Sequence, residues 1–157
     1  MNKGKALKRV ILSIAALALV IVALAVSPYV YDNVYLSGME RGISKVDGVD
    51  GVDVLETKGI CGRLNGNGNG MQFLAAALIK VDDGVDTEDI IEQAEASCKS
   101  ASYCKVMEYD GGELRCQELE RGRLAFESEI DDTASYYILY AYGANNSLLS
   151  SLDIRGH

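Results

Sequence analysis

The sequence predicts an α+β protein: an N-terminal transmembrane helix followed by a small antiparallel sheet with one packed helix. Three observations predict it. Val10 to Val26 is an apolar run with no charge and a single serine. Behind it lie several short segments rich in β-branched and aromatic side chains, separated by Gly, Asp and Asn turns. Between these, Asp86 to Lys99 carries an N-cap signal and an apolar stripe at helical spacing.

The first element rests on length and flanks. At ~1.5 Å per residue, Val10 to Val26 just spans a thin hydrocarbon layer, and Ser27 to Tyr31 extends it into the interface. Lys3, Lys5, Lys8 and Arg9 precede it, and no acidic residue appears before Asp32. A basic flank stays in the cytoplasm, so the rest of the chain is expected outside. Tyr29, Tyr31 and Tyr35 fit an outer aromatic belt. Ala23-Leu24-Ala25 offers a cleavage site, and cleavage would make the product secreted rather than single-pass. The division expected is a basic flank at 1–9, the anchor at 10–27, a juxtamembrane helix or linker at 28–46, and an extracytoplasmic α+β domain at 47–157. Ser27-Pro28 reads as the cap and first position of that second helix, with Val30, Val34, Met39, Ile43 and Val46 as its apolar stripe.

The domain follows in order. Val52 to about Leu64 predicts a first strand, and "NGNGNG" at 65–70 its turn. In the next strand Met71, Phe73, Ala75, Ala77, Ile79 and Val81 share one face, and Leu74, Ala76 and Leu78 the other. A strand apolar on both faces is a covered one. Asp86 caps the helix, with Ile90, Ile91, Ala94 and Cys98 facing inward. "CKVMEY" at 104–109 predicts a strand, Asp110-Gly111-Gly112 a turn, and "ELRCQELE" its hairpin partner. "ASYYILYAY" at 134–142 is a further strand, with Tyr136, Ile138, Tyr140 and Tyr142 on one face, expected to pack on a helix. The tail from Gly143 reads as loop, with "SLLSSL" at 147–152 as a short turn of helix.

Charge excludes one class of function. Of 15 basic residues four precede the apolar run, leaving 11 against 23 acidic ones. Such a surface repels nucleic acid phosphates. The partners expected are the membrane, through residues 10–27, and a protein or envelope component; no cofactor is expected.

The site candidates are few. Asn65, Gly66, Asn67, Gly68, Asn69 and Gly70 form a loop that could present backbone amides to a partner. They imitate half of a calcium loop, but its carboxylates are amides here and Ala76 stands where the bidentate glutamate belongs, so no metal site is expected. Cys61, Cys98, Cys104 and Cys116 lie on the exported side, where an even count predicts two disulfides. Three pairings are open; the one favoured is Cys98 with Cys104 and Cys61 with Cys116. Cys61 is also a candidate nucleophile, with His157 as its base. "YLSGMERG" at 35–42 and "SSLDIRG" at 150–156 faintly resemble two short boxes of the membrane-anchored signal peptidases. That resemblance implies Ser37 as nucleophile and Lys80 as base. However, Gly38 separates Ser37 from Met39, and Arg41 stands where the family has proline. The function expected is therefore a non-catalytic binding or interaction module. The alternative is an envelope hydrolase or transferase using Cys61 or Ser37.

Overall fold

The computed structural model describes residues 3–65, 70–115, 123–131 and 134–156. Helix α1 runs unbroken from Lys3 to Ile43. At ~1.5 Å per residue it is about 60 Å long. Among the described residues it is the one helix long and apolar enough to cross a membrane. From Leu7 to Val26 every side chain is exposed.

The separate helix expected at Ser27 does not exist, because Pro28 lies inside α1. Proline lacks the N–H that would bond the carbonyl of Leu24. Ser27 Oγ donates to that carbonyl instead, at 3.2 Å. The serine thus occupies the acceptor that proline leaves open, and the helix continues. Beyond it, Asp32, Met39, Ile43 and Val46 are buried and Leu36 is half-buried, at steps of four and three. Val30 and Val34, expected in this stripe, face outward at 51% and 61% exposure. A 3-10 turn over Ser44–Gly48 ends the segment.

The sheet holds β1 (Val52–Gly62), β2 (Met71–Val81), β3 (Tyr103–Glu108) and β6 (Ser135–Asn145) in the order β1-β2-β6-β3. Each pairing is antiparallel. Strand β2 lies between β1 and β6 and, Lys80 apart, is buried along its length. Its two faces divide as the alternation requires. Met71, Phe73, Ala75, Ala77, Ile79 and Val81 meet α1 and α2 (Thr87–Ser97). Leu74, Ala76 and Leu78 enter a second core. Asp86 caps α2 by accepting the Glu88 N–H at 2.9 Å.

Gly59 lets α1 lie close to the sheet: a Cβ there would stand 2.8 Å from Leu36 Cδ1. Tyr35 seals one end, its ring 4.4 Å from Phe73 and its hydroxyl donating to the Ser100 carbonyl at 2.7 Å.

The other face departs from expectation. Among the described residues, the segment after Asp110 does not pair with β3, whose partner is β6. Gly111 and Gly112 both take positive φ, +98° and +100°. They turn the chain into a separate hairpin of β4 (Glu113–Arg115) and β5 (Arg123–Ala125). Leu114 and Leu124 of that hairpin cover Tyr136, Ile138 and Tyr140, so the tyrosine face packs on strands rather than on a helix. Glu56 of β1 holds the chain leaving β5. Its Oε2 accepts from the N–H of Glu127 at 2.7 Å and of Ser128 at 2.9 Å, and Lys58 lies 2.7 Å from Oε1. Led by Lys58, these donors hold its pKa down to about 2.

Candidate functional site

Polar groups converge where the C-terminal tail folds back on α1. Asp32 faces the domain and is fully buried. Its Oδ1 accepts from Ser150 Oγ at 2.5 Å, across 118 residues of chain. Ser150 opens a 3-10 turn, Ser150–Leu152, and Ser147 Oγ accepts the Ser150 N–H at 3.2 Å. One step further along the tail, Asp153 is buried and grips Arg155: Nη2 donates to Oδ2 at 2.6 Å and Nε to Oδ1 at 3.0 Å. Arg155 then reaches α1. Its Nη1 donates to Asn33 Oδ1 at 3.0 Å, and its guanidinium lies 4.1 Å over the Tyr29 ring.

Electrostatics divides the two carboxyls. The Arg155 hydrogen bonds hold Asp153 below the usual carboxylate range, against the effect of burial. Burial pushes Asp32 up; the Ser150 hydrogen bond opposes that, and the charge of Asp153 adds to it. Asp32 Oδ2 is buried with no hydrogen-bond partner. A proton there removes the burial penalty and supplies a donor toward Asp153. The two carboxyls are thus pushed in opposite directions, Asp32 upward and Asp153 downward.

The base of the 65–70 loop clasps the same tail. Arg63 N–H donates to the Arg155 carbonyl at 2.8 Å, and Gly70 N–H to the Gly156 carbonyl at 3.1 Å. Gln72 pins the loop's first residue. Its Oε1 accepts from the N–H of Leu64 and Asn65 at 2.7 and 2.8 Å, while its Nε2 donates to Asn65 Oδ1 at 2.6 Å. Gly70 takes φ +127°. Gly66, Asn67, Gly68 and Asn69 lie outside the described residues.

Cys61 borders this cluster, its thiol 3.9 Å from Asn33 Oδ1. Burial pushes the thiol up, and the Arg155 charge only partly offsets it. The guanidinium is already engaged by Asp153. That is the setting of a protonated thiol, not of a thiolate nucleophile. His157, its expected base, lies outside the described residues. Ser37 is exposed on α1, where its carbonyl accepts from Arg41 Nε at 3.0 Å. Lys80 sits on β2 opposite Asp53 and Tyr136.

The expected Cys98–Cys104 bridge is not formed: Cys61, Cys98 and Cys104 are free thiols. Cys98 Sγ is turned toward α1, where it donates to the Met39 carbonyl at 3.3 Å. Burial raises Cys98 to about 11 and Cys104 to about 12. Cys116, and with it the expected Cys61–Cys116 pair, lies outside the described residues. Among the described residues no group of three or more His, Cys, Asp or Glu could hold a metal ion.

The sequence reading missed Asp32, Ser150, Asp153 and Arg155. Only Asp153 and Arg155 carried a signal, the close spacing of acid and arginine in the tail. Comparison with protein-family models, curated proteins and solved structures finds no match to this chain.

Proposed function

We propose that this chain is a single-pass membrane protein, with its N-terminus in the cytoplasm and its α+β domain outside as a non-catalytic binding module. One observation carries the reading. A single helix is exposed and apolar over Val10 to Val26, then buries one face in the domain core from Asp32 to Ile43. Such a helix holds the domain at a fixed height and angle above the bilayer, as a presented module requires. The fixed ends of the 65–70 loop favour it as the binding element, for a protein or envelope component. The reluctant ionisation of Cys61 speaks against thiol catalysis.

Two single-cysteine substitutions test the topology, with labelling resolved residue by residue. On intact cells a membrane-impermeant maleimide should modify Leu55→Cys, and should reach Asn2→Cys only after lysis. Labelling of both only after lysis would place the domain inside and overturn the reading. Loss of residue 2 from the mature mass would mean a cleaved, secreted product. Alkylation of Cys61 faster than a free model thiol would return the catalytic alternative.

A further inference from the structure

The tail that closes on α1 exposes several large apolar side chains. Leu148, Leu152 and Ile154 are 80%, 60% and 86% exposed, and Leu149 is partly so. Leu152, Asp153 and Ile154 line a cavity of about 400 Å³ whose other wall is Ala25, Val26, Pro28 and Tyr29 of α1. The tail is thus apolar beside residues 25–29 and polar beside residues 32–33, where Ser150 and Arg155 bind Asp32 and Asn33. This order along the helix matters. Residues 25–29 are the top of the apolar run, and from Val10 to Tyr29 the helix rises about 28 Å, close to the thickness of a hydrocarbon core. The exposed tail residues therefore sit at the height of the outer membrane–water boundary, continuous with the lipid-facing surface of the helix.

We infer that the segment Leu148–Ile154 is a second membrane contact: a ledge whose leucines and isoleucine enter the outer leaflet beside α1. This rests on the anchored reading above. The occupant is the hydrocarbon–headgroup boundary of a bilayer, and headgroup charge is not required. Within the ledge Asp153 and Arg155 neutralise each other at 2.6 Å, so no unpaired charge opposes insertion. With the ledge inserted, the domain meets the membrane at two points. One helix leaves it free to swivel about the helix axis; two contacts fix its orientation and the direction in which the 65–70 loop is presented.

The chain contains no tryptophan, so single substitutions report depth without background. The full chain would be reconstituted in phosphatidylcholine vesicles, with and without bromine on the upper acyl chain, as four variants. Val22→Trp tests the anchor, Ile154→Trp and Leu152→Trp test the ledge, and Asp110→Trp is the distal control. Tyr109, next to that control, bonds the Tyr136 carbonyl, at the end of β6 opposite to the one that leads into the tail. A strand of this length separates the two ends by about 30 Å. Quenching of Ile154→Trp and Leu152→Trp at least about twofold, with Asp110→Trp unquenched, supports the ledge. No quenching at Val22 would instead overturn the anchored reading. Quenching at Val22 with none at positions 152 and 154 would overturn the ledge alone. If those two tryptophans were blue-shifted yet unquenched, a second copy or another protein would cover the tail, and the ledge would again fall.

Discussion

The two halves of α1 share one backbone geometry and face different surroundings. From Val10 to Val26 the helix is apolar around its whole circumference, and every side chain there is exposed. Above Pro28 it is amphipathic: Met39 and Ile43 lie in the core, while Val30, Val34 and Ser37 face outward. The lower half needs an apolar environment on all sides; the upper half needs one only beneath it. The pattern of side chains, not the helix itself, marks where one environment ends. The Ser27-Pro28 pair stands at that boundary without breaking the helix, because Ser27 Oγ takes the carbonyl that proline leaves free.

The largest effect should separate the halves directly. Ile43→Ala removes a fully buried side chain from the core beneath α1 and should destabilise the domain by about 2–5 kcal/mol. Leu19→Ala, on the apolar half, should leave domain stability unchanged. Urea unfolding in detergent micelles, followed by the tyrosine signal of the sheet, reads both. Equal losses would mean that the halves are one folding unit and the comparison fails. The next effect is steric. A Cβ on Gly42 would stand 2.5 Å from Cys98 Sγ and 3.0 Å from the Ser97 carbonyl. Gly42→Ala should therefore lose about 1–3 kcal/mol despite alanine's better helix propensity. No loss in the same urea titration would show that α1 and α2 can move apart freely.

Two titrations sharpen the boundary between α1 and the rest. Glu56 lies on β1, away from the helix, and its folded pKa is lowered to about 2. A lowered folded pKa gives stability that is present above the ordinary glutamate range and lost as pH falls through about 2. Glu56→Gln should flatten that acid limb and cost about 1 kcal/mol at neutral pH, since solvent at the Lys58 end weakens the charge term. Asp32 behaves in the opposite sense. Its folded pKa is raised, chiefly by burial. Stability from its bound proton is present below the ordinary aspartate range and lost as pH rises through the raised value. Asp32→Asn should remove this decline and leave the variant relatively more stable at neutral than at acid pH. An unchanged slope for Asp32→Asn in pH-dependent unfolding would mean that the carboxyl stays ionised beside Asp153.

Sequence carried local information well and tertiary information poorly. Strand β2 was legible on both faces because each of its residues packs by alternation. The cap of α2 was legible because Asp86 and Glu88 are neighbours. The stripe on upper α1 was misjudged at Val30 and Val34, since apolar character alone does not say which face meets the sheet. The Asp110 turn looked like a hairpin to β3, yet Gly111 and Gly112 send the chain across the other face of the sheet to cover the tyrosines. The folding of the tail onto α1 was the hardest part. Asp32 and Ser150 meet across 118 residues, and neither stands in a pattern that names the other.

The smallest effect is the most specific to the comparison. Gly38 and Gly42 are one turn apart on the same half of α1, and both weaken an isolated helix. Their surroundings differ: nothing lies within 4 Å of a Cβ on Gly38, whereas Cys98 blocks one on Gly42. Gly38→Ala should therefore stabilise the domain by about 0.5–1 kcal/mol through reduced backbone freedom in the unfolded chain, while Gly42→Ala destabilises it. Opposite signs from the same substitution four residues apart would show that upper α1 is one-sided, with a free flank and a packed one. A loss at Gly38 comparable to that at Gly42 would mean that the outer flank is also covered, and that a partner sits against the helix where the fold leaves it open.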